Sequence, residues 1–356
     1  MSLPSTYKSI HLSTRPKHHI TPETFTTKTH PTPSISSLKH GQVLFQPTYS
    51  SLDPAMRGWL NDTRSYIAPV KLGAVMRGES VGKIVASKSQ NFRTGESVLA
   101  MSGWTEMAVL EDSTIQKIHL PPNGRPSDAL GVLGMTGLTA YFGILEVGKV
   151  RAGDFVVVSG AAGATGSVVG QIAKLKGAKV MGIAGSDAKC KWLVEELGFD
   201  EALNYKREES FAREFRDATK KYGLIDVFFD NVGGEVLDLA LSRAKEHSRF
   251  VMCGGISQYN YGTGEMRGPK NYLMIVSMRI RMEGFVVFDY EAQYEKARKE
   301  LAGWLAEGKI KRQETIIKGG IEKMPEALRA LFEGRNTGKL MVEIKKPGEE
   351  EVRSKL

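Results

Sequence analysis

Apolar positions along this chain keep two different rhythms, and the change falls near residue 128. Beyond it, short solid apolar runs alternate with stretches of helical spacing. Phe155-Val156-Val157-Val158 has the length and β-branched make-up of a strand buried on both faces. From Ser167 to Lys176, residues Val168, Val169, Ile172, Ala173 and Leu175 recur at helical spacing, and Gly177 stops the helix. A second buried strand is expected over 179–184. Further strands are expected over 225–230, 249–253 and 284–288, with helices from about 235 and about 272 between them. That alternation predicts an α/β fold: a doubly wound parallel sheet, six strands wide, with helices on both faces.

Before residue 128 the pattern is strand-like and broken by Gly and Pro. Val43-Leu44-Phe45-Gln46, the segment 78–85 and Ser97-Val98-Leu99-Ala100 read as strands of a β-rich, barrel-like domain. Thr and Pro crowd the first forty positions, where no strand is assigned. Asp53-Pro54 marks a short helix, with Asp53 as its cap and Pro54 at its first position. A helical zone over 128–147 leads into the second region. After it come a charged helix at 291–307, a helix near 325–333 and a strand at 340–344, and the last fifty residues are expected to fold back onto the first domain. The domain division is therefore 1–128, completed by 305–356, and 129–304.

The turn between the first strand and helix of the α/β region is Gly160-Ala161-Ala162-Gly163-Ala164-Thr165-Gly166. A pyrophosphate reaches the helix N-terminal amides only where no side chain holds it off, and Gly163, Ala164, Thr165 and Gly166 keep that backbone open. The spacing G-x-x-G-x-x-G carries little information alone; between a strand and a helix, with another strand following, it indicates a dinucleotide site. Close helix–sheet packing is the other use for such glycines.

Composition narrows the remaining choices. The chain has 356 residues, with 41% hydrophobic and 25% charged, ordinary values for a soluble globular protein of two domains. No apolar run reaches membrane-spanning length, and the start lacks the apolar core of a secretion signal. Two cysteines, Cys190 and Cys253, are too few for a disulfide framework or a four-cysteine zinc site and fit a reducing compartment. The net charge of +9 is spread along the chain without a nucleic-acid motif, so it helps attract anionic cofactors rather than marking a nucleic-acid partner.

Several strings then point one way: Ser51-Leu52-Asp53-Pro54, Met56-Arg57-Gly58, Met135-Thr136-Gly137-Leu138-Thr139-Ala140-Tyr141, and the element 160–176. Others are Glu196-Leu197-Gly198-Phe199-Asp200, Asn204-Tyr205-Lys206, Phe229-Asp230-Asn231-Val232-Gly233-Gly234 and Cys253-Gly254-Gly255-Ile256-Ser257-Gln258-Tyr259-Asn260. Over nearly its full length the chain resembles the zinc-free branch of the medium-chain dehydrogenase/reductase family that holds prostaglandin reductases and alkenal double-bond reductases. The resemblance implies a Rossmann domain with a GroES-like catalytic domain, NADPH as cofactor and a homodimer through the nucleotide domains. Zinc-dependent relatives carry a cysteine near 49–53 and Gly-His-Glu where this chain has Arg77-Gly78-Glu79, so no catalytic metal is expected. One departure is Ala55, where the family usually has tyrosine, which implies a different substrate shape.

Cofactor choice stays open on spacing alone. About 20 residues past Gly166, where a carboxylate holds the ribose of NAD, the chain reads Ala184-Gly185-Ser186-Asp187. Asp187 is close to that place. The resemblance instead assigns Lys189 and Tyr205 to the 2′-phosphate of NADPH, which a cation suits. It further implies cofactor contacts at Asn231, Cys253, Phe285, Val286, Val287 and Asn336. Tyr259 is implied as the donor to the oxyanion formed when hydride adds to the β carbon of an enone, with packing against the cofactor as the alternative role. Tyr49 and Tyr66 are candidates to line the substrate pocket, with core packing as the other reading.

The activity implied is NADPH-dependent reduction of α,β-unsaturated aldehydes and ketones. The alternatives are a quinone oxidoreductase of the same fold, or a relative that keeps the nucleotide site without activity. The closing tripeptide Ser354-Lys355-Leu356 has the form of a peroxisomal address, which implies an import receptor as partner and peroxisomal localisation, with the cytoplasm otherwise.

Overall fold

The computed structural model describes residues 3–262 and 264–344. Ser354, Lys355 and Leu356 lie outside the described residues. The chain forms two units, one running to Leu130 and resuming at Glu314, the other from Gly131 to Gln313.

In the first unit, the Thr-rich start pairs after all. Strands β1 (Thr6–Leu12) and β2 (Phe25–Pro31) run antiparallel, and the inner end of β1 carries Ile10 and Leu12 into the core. Threonine suits a pleated strand, but β2 is mostly exposed, so no apolar alternation announces it. Then follow β3 (Gln42–Ser51), helix α1 (Ala55–Gly58), β4 (Ser80–Ser87), β5 (Ser97–Ala100), β6 (Ala108–Glu111) and β7 (Ile115–Lys117). The short helix expected at Asp53-Pro54 is present, but its cap is corrected: Pro54, not Asp53, holds the cap position, with no side-chain bond, and β3 runs up to Ser51 before it. The Asp53 carboxylate instead accepts from the Ser51 hydroxyl and from Lys339 Nζ at 2.5 Å. Arg57, fully buried, donates to the carbonyls of Pro16 and His18 and to Asn61 Oδ1, which fastens the loop before β2 onto α1.

The second unit opens with α2 (Met135–Phe142) and continues β8 (Phe155–Val158), α3 (Ala164–Leu175), β9 (Lys179–Ala184), α4 (Asp187–Glu195), β10 (Glu201–Asn204), α5 (Glu208–Lys221), β11 (Ile225–Asp230), α6 (Gly234–Ser242), β12 (Ala244–Met252), α7 (Leu273–Ser277), β13 (Arg281–Gly284) and α8 (Tyr294–Ala306). Its six strands are all parallel in the order β10-β9-β8-β11-β12-β13. That is the doubly wound Rossmann order, whose switch point lies between β8 and β11. Period-two alternation divides the strand side chains between two cores. Val156, Val158, Val180, Val227, Phe229 and Val251 face the layer holding α3 and α8, while Phe155, Val157, Met181, Phe228 and Phe250 face α5 and α6. Both faces of β8 are therefore dry, each such side chain contributing about 2 kcal/mol at most.

Two expectations shift here. The last strand lies at Arg281–Gly284 rather than 284–288, so Phe285, Val286 and Val287 follow the strand end. Strand β12 begins five residues before the expected 249, at Ala244, because its first half is polar and half-exposed. One glycine inside α3 is sterically required: a Cβ on Gly170 would lie 1.9 Å from the buried Phe199 ring. Among the described residues, no helix is long and apolar enough to cross a membrane.

The returning segment completes the first unit with β14 (Glu314–Ile317), α9 (Met324–Phe332) and β15 (Lys339–Glu343). β15 lies antiparallel to β3, and the sheet runs β14-β15-β3-β4-β5-β7 with β6 also on β3.

Candidate functional site: the carboxyl ends of the parallel strands

The glycine turn after β8 is built as its sequence requires. Gly160 has φ +58° and its carbonyl accepts from the Gly163 amide at 3.0 Å, closing the turn. A Cβ on Gly166 would sit 2.5 Å from the Gly160 carbonyl oxygen and 2.8 Å from Ala161 Cα. Helix α3 starts at Ala164, three residues before the apolar pattern shows it, and no side chain caps it. The first-turn amides at Ala164, Thr165 and Gly166 thus form a cradle open to an anion, and a pyrophosphate fits it.

Beyond β9 the predicted phosphate residues come together. Tyr205 lies over Gly185, where a Cβ would approach the phenol oxygen to 3.2 Å. Ser186 caps α4 by accepting from the Lys189 amide. Burial, and then the neighbouring Lys206, lower the Lys189 ammonium from its usual range. Lys206 is thus a second cation close enough to Lys189 to act on it, within the Asn204-Tyr205-Lys206 string, and it had no role assigned from the sequence. Both oxygens of Asp187 are engaged by protein donors. Asn204 Nδ2 donates to its Oδ1 at 2.8 Å and Arg207 holds its Oδ2 at 2.9 Å. Hydrogen bonds from Arg207 and Asn204 hold this carboxyl below the ordinary range.

At the switch point, Asp230 is fully buried and accepts from Ser159 Oγ at 2.7 Å and from the amides of Val232 and Gly233, each at 3.0 Å. Burial raises its carboxyl, against the opposing pull of those donors. Its carbonyl takes the amides of Cys253 at 2.9 Å and Gly254 at 3.0 Å. Asn231 donates Nδ2 to the Ser159 carbonyl at 2.7 Å. The ends of β8, β11 and β12 are therefore stitched into one floor. Neither Ser159 nor Asp230 had been assigned a role from the sequence; an acid ending the apolar run Ile225–Asp230 was the available signal.

Tyr259 follows a short 3-10 turn, 256–258, beyond that floor. The Gly255 amide donates to its hydroxyl at 3.1 Å, and a Cβ on Gly254 would stand 3.0 Å from the same oxygen. The Gly254-Gly255 pair lets the phenol settle on the backbone. Burial pushes the Cys253 thiol up to about 12, with Asp230 adding to the effect, so it is held neutral and is not an activated nucleophile. Phe285 spends its ring in packing, edge-on to Phe229 at 6.4 Å and against Gly143.

Three predicted residues belong to the first unit. Asn336 is buried and donates to the Gly338 carbonyl at 2.8 Å. Tyr49 is half-buried, its hydroxyl raised by burial and by Glu343. Tyr66 is 56% exposed, so the core reading fails for it. Among the described residues no three His, Cys, Asp or Glu side chains converge as metal ligands. At Gly78, a Cβ would meet the Trp104 ring at 2.7 Å.

Comparison with known proteins agrees with this geometry. Residues 8–118 match the family model described as the N-terminal domain of oxidoreductase, and residues 164–303 match that of the zinc-binding dehydrogenases. Prostaglandin reductase 1 of Bos taurus is 42% identical over 314 residues, covering 87% of this chain and 92% of that protein. The NADPH-dependent curcumin reductase of Escherichia coli (strain K12) is 36% identical over 337 residues, 94% of this chain and 95% of the relative. The crystal structure of CurA in complex with NADPH from Vibrio vulnificus superposes with a TM-score of 0.88 at 39% identity, covering 96% of this chain and 100% of that one.

Proposed function

Because this chain belongs to the zinc-independent branch of the medium-chain dehydrogenase/reductase family, we propose that it reduces the carbon–carbon double bond of α,β-unsaturated aldehydes and ketones. It is an NADP-dependent oxidoreductase, and NADPH is its cofactor. The bound cofactor supplies the hydride. The chain's own residues hold and orient it: the α3 cradle takes the pyrophosphate, and Lys189, Tyr205 and Lys206 meet the 2′-phosphate.

Hydride arriving at the β carbon leaves negative charge on the carbonyl oxygen, which needs a donor. Tyr259 supports this reading more than any other residue. Its oxygen accepts from the Gly255 amide, and a hydroxyl that already accepts is polarised toward donating its own proton. The phenol is thereby aimed and strengthened for an enolate without a metal. Cys253 and Asn231 contact the cofactor in the same proposal, with Phe285, Val286, Val287 and Asn336; Tyr49 and Tyr66 contact substrate. A homodimer through the nucleotide-binding units belongs to it as well. β13 is the outer strand of its sheet, and Tyr272, Leu273 and Val276 are exposed just before it.

The deciding experiment follows NADPH consumption against enals, enones and quinones and identifies the product. A saturated carbonyl compound is expected, with full activity after chelation. An alcohol product, turnover confined to quinones, or no turnover at all would overturn the reading.

A further inference from the structure

We propose that Asn204 and Arg207 set the cofactor preference by latching Asp187 away from the adenosine ribose. This rests on the NADPH assignment above and adds residues that act on specificity through another side chain.

Asp187 is the carboxylate closest to the place where an NAD-binding unit carries one, three residues past the end of β9. Left to itself it would suit the 2′-hydroxyl of NADH and repel the 2′-phosphate of NADPH. Here both of its oxygens are taken. Asn204 is oriented for the task because its own Oδ1 accepts from the Lys206 amide at 3.1 Å, which turns Nδ2 onto Asp187 Oδ1. Arg207 claims the other oxygen at 2.9 Å. The strand register places Asn204 directly beside Ala184, so the latch reaches across adjacent strand ends and needs no loop movement. The same turn, 204–207, carries Tyr205 and Lys206, which the proposed function assigns to the 2′-phosphate. One short segment thus supplies the attraction for NADPH and removes the carboxylate that would favour NADH.

The latch predicts an outcome that ordinary loss of positive charge does not. Removing Arg207 frees Asp187 Oδ2 and leaves Asn204 on Oδ1, so NADH should bind more tightly while NADPH binds more weakly. The test is fluorescence titration of the reduced nicotinamide against the full chain, a readout independent of any carbonyl substrate, with circular dichroism confirming the fold. Arg207→Ala should tighten NADH about tenfold, the order of one bond to an ionised group. Arg207→Ala with Asp187→Asn should return NADH to the parent value, because the gain must act through the freed carboxylate. Arg207→Lys, which keeps a cation beside Asp187, should stay near the parent. An unchanged NADH affinity in folded Arg207→Ala, or a gain that survives Asp187→Asn, overturns the latch alone. Equal binding of NADH and NADPH by the parent overturns both the latch and the cofactor assignment.

Discussion

The hydroxyl of Tyr259 accepts the amide hydrogen of Gly255, four residues before it, at 3.1 Å. The bond fixes the phenol against its own turn, and it makes a clean test of that residue. Tyr259→Phe removes the donor and keeps the ring. Turnover on enones should fall by about a hundredfold, the scale of losing one oxyanion donor, while the dissociation constant for NADPH stays within about twofold. Rapid single-turnover measurement separates the two. A mutant that loses cofactor affinity alone would make Tyr259 a packing residue.

In the proposed cofactor site Lys189 meets the 2′-phosphate, so NADPH should bind more tightly than NADH. Lys189→Ala should weaken NADPH by roughly 1.5–3 kcal/mol and leave NADH nearly unchanged. Lys206→Ala should act in the same direction with a smaller effect, since Lys206 is the charged neighbour of Lys189. Titration with both cofactors at two salt concentrations checks this, because the phosphate contribution should shrink with ionic strength.

Two glycines of α3 should fail differently. Gly166→Ala drives a methyl toward the Gly160 carbonyl, so the phosphate turn must open and NADPH binding should be lost. Gly170→Ala instead presses on the buried Phe199 ring, which should cost about 1–3 kcal/mol of stability. Its cofactor affinity should survive at temperatures where it stays folded. Thermal melts and NADPH titration on the two variants distinguish the cases.

Both thiols are held neutral. Burial pushes Cys190 up to about 11, with Asp187 next, and Cys253 up to about 12. In the unfolded chain they ionise near about 8.5. The folded values are raised, so this contribution to stability is fully present below the unfolded value and is lost as pH rises toward 11 to 12. Stability should therefore fall across that alkaline window. Iodoacetamide should label the folded protein slowly at neutral pH and the urea-unfolded protein at an ordinary rate. Under the proposed activity on thiol-reactive enones, the protein's own cysteines would not compete for the substrate.

The centre of the parallel sheet was readable because β8, β9 and β11 carry buried apolar runs: Phe155-Val156-Val157-Val158 admits few other readings once a glycine turn follows. β2 was not readable, since Thr26, Thr27 and Lys28 look outward and burial leaves no alternating mark. The strand at Arg281–Gly284 was displaced for a related reason. Its residues are polar or half-exposed at the sheet edge, while the more apolar Phe285-Val286-Val287 beyond it packs as a loop. In the site, the glycines, Lys189, Tyr205 and Tyr259 could be named from type, position and family resemblance. Bonds across distant segments could not: nothing in the local sequence of Asp187 says that Arg207 holds it, or that Asp230 ties Ser159 to Gly233.

The buried carboxylate of Asp230 also determines how the strand-end loops open. Its side chain and carbonyl together take the amides of Val232, Gly233, Cys253 and Gly254, and Ser159 joins from β8. Loops usually exchange their amide hydrogens quickly and one by one. These four should instead exchange slowly and at one shared rate. Releasing any of them uncovers a polar group of one fully buried residue, the carboxylate for Val232 and Gly233 and the carbonyl for Cys253 and Gly254. The cofactor accordingly meets a surface that is already set, and little ordering entropy remains for binding to overcome.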